Sequence, residues 1–99
     1  MILEHAVLDV RTTEIKAFEK AFATAKGIIS ASPGFLGLEL HHCLEITNRY
    51  LLLVQWERLE DHTQEFRLSP GYQEWRKLLH HFYQPAPIID HYELLTKVD

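Results

Sequence analysis

Histidine is the side chain that changes charge near neutrality and the one that most often ligates metals, and this chain carries seven in 99 residues. Three of them flank a proline-rich corner in RKLLHHFYQPAPIIDHYELL, residues 76–95. Together they would suit a metal ion, but their spacing keeps them apart. At about 100° per residue, His80 falls on the solvent side of a helix striped by Tyr72, Trp75, Leu79 and Phe82, and His81 falls at its flank. QPAP then turns the chain, so His91 belongs to a separate strand. A second group, Glu39, His41 and Cys43, shares one strand face while His42 projects to the other; side chains in a row along a strand converge only weakly, whereas zinc requires three or four ligands in tetrahedral array. Neither a metal site nor a cofactor is expected.

His62 is placed differently. It lies one helical turn after Leu59 and one before Phe66, so a helix here points it inward among apolar neighbours. Two roles suit it: a core histidine satisfied by a backbone carbonyl or Glu65, or a pocket base whose pKa is adjusted by burial. Arg67 follows, able either to pair with Glu57, Glu60 or Asp61 or to stabilise a phenolate, enolate or peroxide anion. His5 and His91 lie on the first and last strands, close enough in the expected topology for either to line a pocket. Trp56, Phe66, Tyr72 and Trp75 supply aromatic surface that packs on the sheet or, if helix and sheet stand apart, accepts a flat aromatic ligand.

The elements that must position these groups are readable from periodicity. Residues 2–10 form a strand ended by RTTE, where Thr12 or Thr13 can cap a helix carrying Ile15, Phe18, Phe22, Ala25 and Ile29 at spacings of three and four. SASPG stops that helix. FLGLELHHC and RYLLLVQWE read as paired strands around LEITN. A short helical piece from Leu59 carries Leu59, His62 and Phe66 on one face. Ser69 and Pro70 then restart the helix as cap and first residue, and IIDHYELL closes the chain as a strand. This order, β-α-β-β-α-β, predicts a ferredoxin-like α+β fold with a four-stranded antiparallel sheet, all of it one domain spanning residues 1–99. RYLLLVQW is apolar on both faces, whereas two helices cover only one. A homodimer closing sheet against sheet, a dimeric α+β barrel, is the expected solution.

Bulk composition excludes other classes. A formal charge of −4 without a basic cluster argues against nucleic acid or an anionic membrane as partner. The longest apolar run is too short to span a bilayer. Glu4 interrupts the N-terminal apolar stretch, and a single cysteine fits a reducing compartment, so a cytoplasmic location is expected.

Trp56, His62, Phe66, Arg67, Ser69 and Trp75, in that order, together with LDVRTTE, SPGFLGLEL and RYLLLVQWE, give the chain a resemblance to the antibiotic biosynthesis monooxygenase family of dimeric α+β barrels. The resemblance implies a small cofactor-independent oxygenase of a quinol- or anthrone-like aromatic. His62, with His91 and His5 behind it, would then be the base, Arg67 the anion stabiliser, and Trp56, Phe66, Tyr72 and Trp75 the ring-binding surface. It also admits a non-catalytic barrel that binds a small apolar metabolite. The haem-degrading branch of the family is disfavoured: its first-strand asparagine falls at Ala6, its tryptophan at Phe66 and its iron-ligating histidine at Arg76, which has no lone pair to offer iron.

Overall fold

Strict alternation along RYLLLVQW builds the centre of the sheet: Tyr50, Leu52, Val54 and Trp56 are all buried under the helices, while Leu51, Leu53 and Gln55 face the other way, partly exposed. The computed structural model describes residues 1–99. It comprises strand β1 (Ile2–Asp9), helix α1 (Ile15–Ser30), strands β2 (Phe35–His42) and β3 (Arg49–Trp56), a π-helical segment (Asp61–Phe66), helix α2 (Pro70–Leu79), a 3-10 turn (His80–Phe82) and strand β4 (Ile89–Glu93). The expected β-α-β-β-α-β order is present, as one antiparallel sheet in the order β2-β3-β1-β4.

Both helices lie on one face. Phe18, Phe22, Ala25 and Ile29 of α1 and Trp75 and Leu79 of α2 meet Ala6 and Leu8 of β1, Val10 just beyond it, and the inward row of β3. The other sheet face is uncovered. It presents Leu3, His5, Val7, Leu51, Leu53 and Tyr92, with Arg49 and Asp9 paired across the strands at 2.8 Å near one end. No helix is long and apolar enough to cross a membrane.

Local chemistry explains most element boundaries and corrects two expectations. Ser69 caps α2 as expected, accepting from the Tyr72 amide at 3.2 Å with Pro70 in the first turn. Neither Thr12 nor Thr13 caps α1, whose N-cap is Glu14 without a side-chain bond. The short helical piece is wider than an α-helix: the Arg67 amide reaches the His62 carbonyl at 3.2 Å, five residues back. That geometry buries Asp61, His62 and Phe66 and leaves Leu59 40% exposed, so Leu59 is not part of the inward stripe.

The start of the π segment is pinned to the loop before β2. Asp61 is buried and accepts from the Arg58 amide at 2.9 Å and its guanidinium at 3.3 Å. Gly34 makes room for it. Its φ of +82° is left-handed, and a Cβ there would lie 2.1 Å from Asp61 Oδ2. This close approach fixes where the following residue, His62, enters the core.

Candidate functional site

An acid buried in an apolar row is the centre of the site. Glu4 occupies the inward series of β1 with Ala6 and Leu8, continued by Val10 just after the strand, and only 3% of it is exposed. Strand register sets it opposite Val54 on one side and His91 on the other. The Trp56 indole donates to Glu4 Oε1 at 2.9 Å, and His62 Nε2 lies 3.5 Å from the same oxygen. His62 stacks nearly flat on Trp56, with centroids 5.5 Å apart and planes 16° apart. Its other nitrogen, Nδ1, is 2.7 Å from His91 Nε2. The arrangement is a chain: Trp56, Glu4, His62, His91.

A contact of 2.7 Å between two imidazole nitrogens requires one to donate and the other to accept, so both rings cannot be protonated there. Burial agrees with this. It pushes His62 down to about 4, helped by the charges of His91 and Arg67. His91 is also lowered, by burial and by Arg67, with Asp90 opposing. Glu4 moves the other way: burial raises it, while the Trp56 bond and Arg67 restrain the rise. Both histidines are therefore neutral at physiological pH, and Glu4 holds its proton more tightly than an exposed carboxyl does.

Beside this chain is a cavity of about 30 Å³ between sheet and helices, room for a water-sized guest. Glu4 and His62 reach it from one side, and Arg67, Tyr72, His80 and Tyr83 are among its other walls. Arg67 is exposed overall and forms no ion pair with Glu57, Glu60 or Asp61, and Asp61 pairs with Arg58. Its guanidinium acts instead as the positive charge felt by Glu4, His62, His80 and His91.

Each anticipated residue now has a place. Phe66, Tyr72 and Trp75 line the cavity together with His62 and Arg67, while Trp56 and His91 support His62 from behind. His5 does not join them. It pairs with Asp90 in the register and sits edge-on to Tyr92 at 5.5 Å on the uncovered face, so His5 and His91 are separated by the sheet itself. His80 is not on the solvent side either: the chain tightens to a 3-10 turn after Leu79, and His80 swings round to the cavity wall. His41 bonds Glu39 at 2.7 Å among exposed side chains, and His42 stacks on Tyr50 on the opposite face, at 4.4 Å. Glu4 and Tyr83 were not among the anticipated site residues. The signal for Glu4 was present: an acid at an inward position of a strand otherwise lined by Ala6, Leu8 and Val10.

The sequence pattern of antibiotic biosynthesis monooxygenase matches residues 1–78. The chain belongs to this family. Its relatives include YczJ, an uncharacterized protein of Bacillus subtilis strain 168, 47% identical over 93 residues that make up 94% of this chain and 98% of that protein. Among solved structures, a Bordetella bronchiseptica protein assigned to the same family superposes with a TM-score of 0.91 at 33% identity, covering 96% of this chain and 97% of its own. SnoaB, a cofactor-independent oxygenase from Streptomyces nogalater, shares the fold at a TM-score of 0.86 and 15% identity, covering 98% of this chain and 95% of its own. Membership of the antibiotic biosynthesis monooxygenase family accounts for the architecture.

Proposed function

We propose that the protein is a cofactor-independent monooxygenase of a small electron-rich aromatic, a quinol or an anthrone, with His62 as the base. The observation that carries this reading is the neutral, buried imidazole of His62 at the wall of a cavity that also contains Arg67 and an aromatic lining. Family membership and the likeness to SnoaB support it.

In this reading His62 removes a phenolic or benzylic proton. The substrate anion passes an electron to dioxygen, and recombination of the two radicals forms a carbon–oxygen bond and a peroxide anion. Protonation and loss of water leave the carbonyl of a quinone. One dioxygen is consumed, one of its atoms staying in the product and the other leaving as water. Arg67 stabilises the aromatic anion and the peroxide, charges for which the site offers no other free cation. Phe66, Tyr72 and Trp75 hold the ring plane.

A bicyclic substrate is far larger than 30 Å³, so it enters only if the π segment or α2 moves outward. The π-helical stretch, whose hydrogen bonds depart from α geometry, is the natural place for that movement. The uncovered sheet face, with Leu51 and Leu53 at its centre and Val7 and Tyr92 beside them, is taken to pair with a second copy. The dimer then buries what neither helix reaches, and the protein works in the cytoplasm as a single domain.

The test is dioxygen uptake by purified protein, with chelator present, across a panel of quinols and anthrones. Expected is one dioxygen consumed per quinone formed. No turnover above the uncatalysed rate with any of them overturns the proposal. Thermal stabilisation by a panel member without product marks instead a non-catalytic binder, the competing reading to which so small a cavity lends weight.

A further inference from the structure

An imidazole whose conjugate acid lies near 4 is a weak base for a phenol. Something must take its proton away. His62 cannot pass it directly to bulk water, being 3% exposed. Its two nitrogens, however, are both committed to other titratable groups: Nε2 faces Glu4 Oε1 at 3.5 Å, and Nδ1 touches His91 Nε2 at 2.7 Å. His91 is on β4, the edge strand of the sheet, and is only partly buried.

The geometry points to a proton relay running Glu4, His62, His91, in which Glu4 holds charge inside the fold while the proton itself leaves at His91 on the sheet edge. This deepens the assignment of His62 as the site's base and rests on that reading, with Glu4 added as a third functional group: a substrate proton taken up at His62 Nε2 leaves by the same exchange, Nδ1–H passing to His91 Nε2 as His91 Nδ1 releases its own.

The bookkeeping of protons has two end states. In one, Glu4 carries a proton directed at His62 Nε2, His62 carries its own on Nδ1 directed at His91 Nε2, and His91 carries its own on Nδ1. In the other, Glu4 is ionised and accepts from His62 Nε2–H, while His62 Nδ1 accepts from His91 Nε2–H. Three protons have become two. The proton lost left from His91 Nδ1, although the negative charge appeared on Glu4. Both imidazoles have exchanged tautomers and neither ever carried two protons, so no step places an imidazolium in the apolar interior.

The surroundings favour such exchange. Trp56 donates to Glu4 Oε1 in either state, since that oxygen keeps a lone pair when protonated. The charged or titratable groups facing the relay are few: Arg67 at the end of the π segment, Tyr83 beside Glu4, His80 across the cavity and Asp90 next to His91. Of these, Arg67 favours ionised Glu4 and Asp90 draws protons toward His91. The Glu4–His62 gap of 3.5 Å is slightly long for a hydrogen bond. A small rotation of the glutamate, or the water that the cavity can hold, closes it.

The test is tautomer-resolved nitrogen NMR of the uniformly labelled protein, which needs no substrate. Expected is one common pH midpoint at which His62 moves from Nδ1–H to Nε2–H and His91 does the same. In Glu4→Gln the oxygen can only accept, so His62 stays Nε2–H until it is doubly protonated and the common midpoint disappears. His91→Phe, at the more tolerant edge, removes the outer acceptor and also abolishes the His62 switch. A wild-type His62 that keeps a single tautomer across the range, or a His91 that switches unchanged in Glu4→Gln, overturns the relay. A concerted switch in a protein that oxidises no quinol leaves the relay standing and removes only the oxygenase reading.

Discussion

Replacing His62 by phenylalanine keeps a flat ring to stack on Trp56 but removes the titrating group, and this isolates one contribution to stability. An unfolded imidazole takes up a proton below about 6.5, whereas folded His62 refuses it until about 4. The folded pKa is depressed, so between these values the unfolded state binds more protons, and stability falls as the pH drops. The gap of about 2.5 pH units, at about 1.4 kcal/mol each, gives about 3.5 kcal/mol in full, of which about 3 kcal/mol is lost by pH 4, where folded His62 is itself half protonated. Above pH 7 the contribution is constant. The raised carboxyl of Glu4 has the opposite sign, favouring the fold at low pH, and repeating the comparison in a Glu4→Gln background removes it. Urea unfolding at pH 7, 5 and 4 measures the two curves. Wild type is expected to lose about 3 kcal/mol more than His62→Phe over this span. Parallel curves, within about 1 kcal/mol, would refute the claim that His62 is held neutral by burial.

Three other substitutions probe the frame around the site. Leu53→Asp puts a charge in the centre of the uncovered sheet face; sedimentation should show a dimer for wild type and a monomer for the variant, since one uncompensated buried charge costs about 3–5 kcal/mol, over about 100-fold in association. Gly34→Ala forces a Cβ into Asp61 at a positive φ, and should destabilise the fold by about 2 kcal/mol or more while displacing the resonances of His62. Ser69→Ala removes the cap of α2 and should lower stability by about 1 kcal/mol in thermal unfolding, with little change at the His62–His91 contact.

Architecture was legible because it depends on periodicity. Alternation along RYLLLVQW and the threefold and fourfold spacing of Phe18, Phe22, Ala25 and Ile29 are signals that tertiary packing reinforces. Ser69 and Pro70 announced α2 in the same way. The site was legible in part: His62 and Arg67 were visible as polar residues next to inward apolar ones, and both reach the cavity. His91 was visible only as a strand residue of undetermined face, because Asp90, His91 and Tyr92 give no alternation to read. Strand register decided it, pairing His91 with Glu4 and sending His5 to the far side. His80 was misplaced because the 100° rule assumes that the α-helix continues, and here it tightens after Leu79. Leu59 was misplaced for the converse reason, a helix that widens. Glu4 was missed because an acid on a strand is usually read as a solvent-facing residue, and only its neighbours Ala6 and Leu8 argue otherwise.

The central claim is that His62 removes the proton that starts quinol oxidation. Its most direct test is the turnover number of wild type and His62→Ala at pH 7, measured by dioxygen uptake with the best substrate found. General-base catalysis is worth about 10²–10⁴-fold, so the variant is expected to fall by that factor with the fold intact. Turnover unchanged in His62→Ala would contradict the account.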